Sequence, residues 1–432
     1  MRKICLTVVG MYIMLLHAFS QVSTKDSSRY APKKLKLEEV NLVSSYYNQT
    51  ADKSAVMGGR TDSKGNGDVT DLANGLDLKF VGYDGKKRKN TLTAGLGIDY
   101  HTAASQAFVD SSGHARNNGT RIYPTLDWAI ENEQKGTEFG LGAYYSAEHN
   151  YYHSIGLNTS YAKKTKNNGE FSVKLTGYFD NIKLIKPSEF ESVDSVKSTS
   201  STDSVVYITT ASGRTQAVVY SSSGQVISSG SGTTIPSRSR DTYTASFSFS
   251  QVINDRLQGS ITTDLVYQNG YLGLPFHRVF FNTGKDTIEH LPSTRFKLPI
   301  GVRLNYFLGD NIIIRGYYRF YADNWGMISH TANIEVPVKI TPFFSVSPFY
   351  RYYVQTAANY FAPYEKHTAA DQYYTSNYAL SSFSSQFFGA GIRIAPPKGI
   401  LGNLNMLEIR YGHYTQTTDL VSDVISLNLK FK

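Results

Sequence analysis

The stretch Val424-Ile-Ser-Leu-Asn-Leu-Lys-Phe-Lys432 ends the chain and alternates apolar and polar side chains without a break. Ile425, Leu427, Leu429 and Phe431 fall on one face of an extended strand, and the polar residues fall on the other. This pattern recurs along nearly the whole chain in segments of about ten residues, the length of a tilted strand that crosses a bilayer. The sequence therefore predicts an all-β protein, a transmembrane antiparallel meander β-barrel.

The lengths of the connections indicate how many strands the barrel has. Short turns such as Asp84–Asn90 and Glu131–Gly136 alternate with mostly longer segments such as Thr102–Gly119 and Gln268–Thr294. Outer-membrane barrels place short turns in the periplasm and long loops outside the cell. If the first strand starts at the periplasm, every short turn falls on that side and the chain also ends there. This agreement predicts about sixteen strands, and one missed or invented hairpin would make the number fourteen or eighteen.

Four prolines lie inside the predicted strands, at positions 124, 299, 337 and 348. A proline cannot donate a hydrogen bond to the neighbouring strand, and a closed barrel has no free edge to accommodate it. We expect β-bulges at these positions.

The N-terminus has the features of a secretory signal peptide. Arg2 and Lys3 precede a short apolar stretch, and Ala18-Phe-Ser20 supplies small residues where a signal peptidase reads the chain. We expect cleavage before Gln21 and a location in the cell outer membrane. The predicted organisation is a signal peptide at 1–20, a periplasmic segment at 21–35 and the barrel at 36–432, with a long extracellular loop rich in Ser and Thr at 181–241.

Composition restricts the chemistry of the mature chain. Cys5 is the only cysteine and leaves with the signal peptide, so a disulfide, a thiolate metal site and a cysteine nucleophile are excluded. The chain has 32 tyrosines, and tyrosine is typical of the lipid–water boundaries of a barrel. The formal net charge is +9, but no nucleic-acid-binding motif is present. The partners that we expect are outer-membrane lipid, lipopolysaccharide phosphates and a small solute, with an anion as one candidate.

Charged residues on the polar faces of the strands are the candidate functional residues. Opposed rows of charge across a pore set a transverse field and tune ion selectivity, whereas a network of salt bridges would brace or fill the interior. Both interpretations remain open from the sequence. The predicted lumen-facing residues are Arg303, Arg315, Arg319, Arg351, Arg393 and Arg410, with Asp77, Asp99, Asp127, Asp264, Glu335 and Glu408 around the rest of the wall.

Catalytic and metal sites have weak support. Glu148, His149 and His153 could bind a metal, but they straddle a predicted outer turn instead of sharing a helix face. His413 lies near the outer rim, yet no serine falls opposite it and no Gly-x-Ser-x-Gly turn is present. We therefore expect no enzymatic activity, no metal and no cofactor.

Two long outer loops each have two interpretations. Val205–Ile208 and Ala217–Tyr220 flank Ser212-Gly-Arg214, which suggests a hairpin, although Ser/Thr-rich composition also permits disorder. Residues 356–382 contain six tyrosine and phenylalanine side chains. These aromatic rings could stack on a ligand, but packing of the loop over the mouth of the barrel is favoured.

Several stretches resemble an uncharacterised family of predicted Gram-negative outer-membrane proteins, catalogued as domain of unknown function three-five-seven-zero. Lys36–Tyr47 and Leu72–Lys79 resemble the opening blocks of this family, and the similarity covers nearly all of the mature chain except 181–241. Later blocks are Gly273–Val279, Phe320–Gly326, Thr341–Arg351 and Ala395–Gly399. The resemblance implies an outer-membrane barrel, sometimes linked to envelope redox and flavin-transfer systems, and transfers no catalytic residue.

The expected function is a pore or channel for a small solute, with an anion as one candidate. The alternative is a non-conducting barrel that binds or assembles with an envelope complex, a redox-linked complex being one candidate. The terminal residue is Lys432, so Phe431 is expected to be the aromatic residue that the barrel-assembly machinery recognises. In the family blocks, Gly273–Val279 suits a loop folded inward, and Trp325 is expected at the membrane interface.

Overall fold

Sixteen antiparallel strands close into one barrel in this computed structural model. The structure describes residues 32–52, 67–102, 118–148, 151–184, 204–209, 214–220, 226–229, 233–234, 237–275 and 277–432. Among these residues, no helix is long and apolar enough to cross a membrane.

The strands follow one another around the barrel in chain order. The first eight are β1 Lys33–Ala51, β2 Val69–Tyr83, β3 Lys89–Thr102, β4 Asn118–Asn132, β5 Thr137–Glu148, β6 Tyr152–Lys164, β7 Gly169–Lys183 and β8 Ser237–Asn254. The next four are β9 Leu257–Gly270, β10 Thr294–Leu308, β11 Ile312–Asp323 and β12, which consists of Ile328–Glu335 and Val338–Thr341. The last four are β13 Phe344–Gln355, β14 Phe383–Ile394, β15 Leu404–Gln416 and β16 Leu420–Phe431.

The C-terminal strand closes the barrel. β16 pairs with β1 from Val40 opposite Phe431 to Ala51 opposite Leu420, and β1 also pairs with β2. Each strand therefore has a neighbour on both sides, so no edge with unpaired backbone groups remains. The predicted meander topology and the predicted number of sixteen strands are confirmed.

Alternation along the strands produces an apolar outer face. On β7, Phe171, Leu175 and Phe179 are 42–51% exposed, and they point away from the barrel axis. On β15, Ile409 and Tyr411 lie on the outer face on either side of Arg410, which points inward. Each of these strands therefore has an apolar outer side and a polar inner side, as a transmembrane barrel requires.

The two ends of the barrel differ. At one end, here called the short-turn end, the connections include Asp84–Arg88 and the turn at 309–311. At the other, the long-loop end, lie the segments 271–293 and 356–382 and the connection between β7 and β8. β7 and β8 extend into the predicted loop 181–241 from both sides. Within this connection, Ser204–Thr209 pairs with Arg214–Tyr220, so the predicted hairpin is confirmed.

The expectation of bulges at the four prolines is wrong. Pro124, Pro299 and Pro348 pair with Leu96, Tyr321 and Ala390 in unshifted register. Pro337 instead divides β12, and the register on either side of the break matches. A proline removes one donor from the ladder, and the strand can lose that single hydrogen bond locally without inserting an extra residue.

Candidate functional site: the inner wall of the barrel

The alternation places the predicted charged residues on the inner face of the barrel. All but Arg315 and Asp77 lie next to at least one exposed apolar residue, as Arg351 does between Tyr350 and Tyr352. The structure then separates these residues into groups with different surroundings. Some arginines are neutralised by carboxylates, and others are not.

One group is a compact ion-pair cluster near the short-turn end. Arg410 on β15 donates from Nη1 to Oε1 of Glu335 at 3.0 Å and to Oε1 of Glu408 at 3.1 Å. Arg315 lies 3.9 Å from the other oxygen of Glu335. The guanidinium of Arg410 also lies 5.2 Å from the ring centroid of Phe349. This cluster corresponds to the salt-bridged interpretation of the wall.

A second neutralised group lies on β3 and β4. Arg121 donates from Nε to Asp99 at 2.9 Å, and the hydroxyl of Tyr123 donates to the other carboxylate oxygen at 2.9 Å. Asp99 is only 5% exposed. Sequence reasoning missed Arg121, although the alternation of Arg121 with Ile122 on β4 carried the signal. On the same strand, Asp127 lies 3.5 Å from the side-chain nitrogen of Asn158.

Four of the predicted arginines, Arg303, Arg319, Arg351 and Arg393, have no carboxylate partner among the described residues. Arg303 lies over Tyr317, with 5.5 Å between the guanidinium carbon and the ring centroid, and Arg351 lies over Phe387 at 5.6 Å. The Nε atom of Arg319 is buried and has no hydrogen-bond partner in the described part of the chain. Nε of Arg393 lies 3.2 Å from the sulfur of Met406. The wall formed by β10 to β14 therefore carries positive charge that no ion pair cancels.

A cavity of about 420 Å³ opens on this wall, and we call it the arginine pocket. It lies toward the long-loop end of the lumen, and its lining contains no aspartate or glutamate. The side chains that line it include Arg319, Thr331, Arg351, Tyr353, Phe387 and Tyr414. The pocket thus combines two guanidinium groups with a set of aromatic rings.

A repeated Tyr-x-Gln tripeptide borders the arginine pocket. The tyrosine hydroxyl donates to the carboxamide oxygen of the glutamine two residues later, at 2.5–2.7 Å, in Tyr47–Gln49, Tyr353–Gln355 and Tyr414–Gln416. Each glutamine nitrogen donates in turn to an acceptor in the adjoining connection: Gly67 O, Ser381 O and Thr418 Oγ1. These contacts couple the orientation of the inner tyrosines to the loops. Sequence reasoning missed the motif, although its three copies were visible at strand ends.

The segments 271–293 and 356–382 pack together at the long-loop end around Trp325. This side chain is 2% exposed and packs against Met327 and Ala358, and its Nε1 donates to the carbonyl of Thr294 at 3.0 Å. Leu272, Leu291, Tyr360 and Leu380 complete the apolar cluster from both segments. The predicted packing of 356–382 is confirmed. The expected place of Trp325 at the membrane interface is wrong, because this tryptophan lies in the core of the packed loops.

Glu289 joins the same two segments. Its carboxylate accepts hydrogen bonds from the backbone of Leu274 and from the hydroxyl of Thr375, both at 2.6 Å. Burial raises the pKa of the Tyr271 hydroxyl above its ordinary value, and the negative charge of Glu289 is the second-largest cause. Burial also raises the pKa of Tyr151, in the turn between β5 and β6, and the charge of Glu148 is the next cause. We call the two packed segments the loop cap.

The weaker candidates from the sequence do not form a site together. His149 lies outside the described residues, and Glu148 lies 3.3 Å from Nε2 of His101. His413 lies on the outer face with its Nδ1 2.8 Å from Asp423. Within the described ranges, no group of three or more His, Cys, Asp or Glu residues is arranged to hold a metal ion.

Solved structures with a similar arrangement of strands are outer-membrane barrels. The outer-membrane protein OprD from Pseudomonas aeruginosa has 9% identity and a TM-score of 0.40, with coverage of 93% of both chains. OccK9 (OpdG) from the same organism has 11% identity and a TM-score of 0.36, covering 91% of this chain and 97% of that one.

A third similar structure belongs to a longer protein. CdiB from Acinetobacter baumannii has 8% identity and a TM-score of 0.42, and the match covers 91% of this chain. It spans only 60% of CdiB. The likeness to these proteins concerns the fold alone.

Sequence comparison identifies the family. No curated protein sequence matches the chain. The model of a family described as "Protein of unknown function (DUF3570)" matches residues 86–422, which include every strand from β3 to β15. The chain therefore belongs to the DUF3570 family.

Proposed function

We propose that the protein is an outer-membrane pore for a small solute and that it prefers anions. The observation that supports this proposal is the set of inner arginines without carboxylate partners, Arg303, Arg319 and Arg351. Asp77 and Asp127 belong to β2 and β4, across the barrel from β10 to β12. A positive wall opposite a negative one creates a transverse field, which concentrates anions near the arginines.

The proposal can be tested by single-channel recording in planar bilayers under a KCl gradient. Replacing Arg319 and Arg351 with Gln should shift the reversal potential toward cation preference, because the local anion concentration falls. Lys86→Gln with Lys398→Gln is the matched control, since it removes two positive charges from exposed turns. The proposal would be contradicted if the wild type conducts and the two double variants have the same ion selectivity.

The loop cap supports a second candidate, a non-conducting barrel that binds an envelope partner. The buried core around Trp325 and the Glu289 contacts hold two long segments together at the mouth. In this case the purified protein would show no channel events, and disrupting the cap with Trp325→Ala would not create an anion-selective current. Regular anion-selective events from the wild type would reject this candidate.

A further inference from the structure

The arginine pocket contains two buried polar atoms that lack hydrogen-bond partners among the described residues. They are Nε of Arg319 and Oγ1 of Thr331. The two residues are direct register partners on β11 and β12, and both belong to the lining of the pocket. A buried donor without a partner lowers stability, because the group has lost its hydrogen bonds to water. The pair is therefore suited to a ligand that presents an oxygen acceptor.

The charge around this pair defines the kind of acceptor. Arg351 adds a second guanidinium to the lining, and no carboxylate in the lining competes for either one. A carboxylate would accept from the guanidinium and from the hydroxyl, and hydrogen bonds to charged partners are about twice as strong as neutral ones. A neutral carbonyl oxygen would form weaker hydrogen bonds with the same two donors.

The rest of the pocket is suited to a flat ring. Tyr353, Phe387 and Tyr414 line it, and Phe387 lies 5.2 Å from Phe349 and 6.5 Å from Tyr414, measured between ring centroids. Tyr353 and Tyr414 are held by their hydrogen bonds to Gln355 and Gln416, so their rings are oriented before a ligand arrives. Fixed aromatic walls favour offset or edge-to-face contact with another ring. The volume of about 420 Å³ lies within the usual range for small-molecule sites.

We infer that the arginine pocket binds a small aromatic carboxylate of the benzoate type. The carboxylate contacts Arg319 and Thr331, with Arg351 nearby, and the ring packs among Tyr353, Phe387 and Tyr414. This inference rests on the proposed function, because it names the class of anion that the lumen accepts.

Calorimetric titration of the full protein in detergent micelles tests the inference with three probes. Benzoate should bind, and benzamide and acetate should each bind at least about tenfold more weakly, because one lacks the charge and the other lacks the ring. Arg319→Gln and Thr331→Val should each weaken benzoate binding, Arg319→Gln by about tenfold or more. Tyr414→Leu should weaken benzoate and leave acetate unchanged.

Lys174→Gln is the matched control for these variants. It removes one positive charge from β7, across the barrel from the pocket, and benzoate affinity should stay within about twofold. Heat-modifiable migration on gels verifies that each variant is folded. The inference would be overturned if the protein bound benzoate and acetate with equal affinity. It would also be overturned if Lys174→Gln and Arg319→Gln weakened benzoate binding equally.

The same samples separate this inference from the proposed function. In bilayers, added benzoate should reduce the chloride current of the wild type and reduce it less in Arg319→Gln. An anion-selective current with no benzoate binding would overturn the ligand class and retain the pore. Benzoate binding that depends on Arg319, without any current, would support the pocket and overturn the pore.

Discussion

Two arginines of the inner wall differ in what surrounds the guanidinium group. Arg410 contacts Glu335 and Glu408, and these carboxylates are 18% and 23% exposed. Arg351 contacts the ring of Phe387 and has no acidic partner in the described part of the chain. Removing the first arginine leaves two carboxylates close together with reduced solvation, whereas removing the second leaves no unpaired charge.

We therefore expect Arg410→Gln to lower the free energy of unfolding by about 1–2 kcal/mol, a value discounted because the cluster is partly exposed. Arg351→Gln should change it by less than about 0.5 kcal/mol. The measurement is the urea-dependent loss of heat-modifiable migration in lipid vesicles. Adding Glu335→Gln to Arg410→Gln should restore part of the lost free energy of unfolding. Equal losses for the two arginine variants would show that the ion pairs do not stabilise the barrel.

At the scale of the element, each strand is defined by which side chains face outward. Leu175 lies near the middle of β7, is 51% exposed and belongs to the outer face with Phe171 and Phe179. Thr176 is the next residue and points to the lumen. Because the side-chain period is two, a shift of one residue would exchange these environments.

Leu175→Arg should destabilise the barrel by about 2–4 kcal/mol, the cost of a charged side chain at the lipid midplane. Thr176→Arg should cost much less, since its charge remains in the lumen. Folding yield and the unfolding midpoint in vesicles measure both effects. Similar costs for the two variants would mean that β7 does not face lipid.

At the scale of the whole molecule, the two tryptophans report on different surfaces. Trp128 lies on the outer face of β4, is 36% exposed and donates from Nε1 to Asn90 at 3.3 Å. Trp325 lies in the core of the loop cap. Its ring centroid is 4.2 Å from the guanidinium carbon of Arg295. If the barrel spans a bilayer, only the first tryptophan can meet acyl chains.

Brominated lipids should strongly quench the tryptophan fluorescence of a Trp325→Phe variant, because Trp128, then the only tryptophan, lies on the outer face. They should quench a Trp128→Phe variant weakly, because the remaining Trp325 is enclosed by protein. The measurement is steady-state emission in vesicles of brominated and ordinary phosphatidylcholine. Equal quenching of the two variants would be incompatible with this orientation of the barrel.

The sequence by itself determined the strands and the direction of their faces. A period of two in Val424–Lys432 and on β7 follows from the geometry of an extended chain, so inward and outward residues could be assigned without knowing which strands pair. The sequence also predicted the strand number and the inner position of Arg319 and Arg351. These properties are local, or they repeat at a regular interval along the chain.

Only the tertiary structure decided which inner charges meet. Arg410 and Glu335 are 75 residues apart and come together because β12 and β15 curve around one lumen. Trp325 lies in a turn, which suggested an interface position, but two distant loops enclose it. The arginine pocket likewise draws its lining from β1 and from β11 to β16. Such contacts depend on barrel closure and register, and alternation along a single strand carries no information about either.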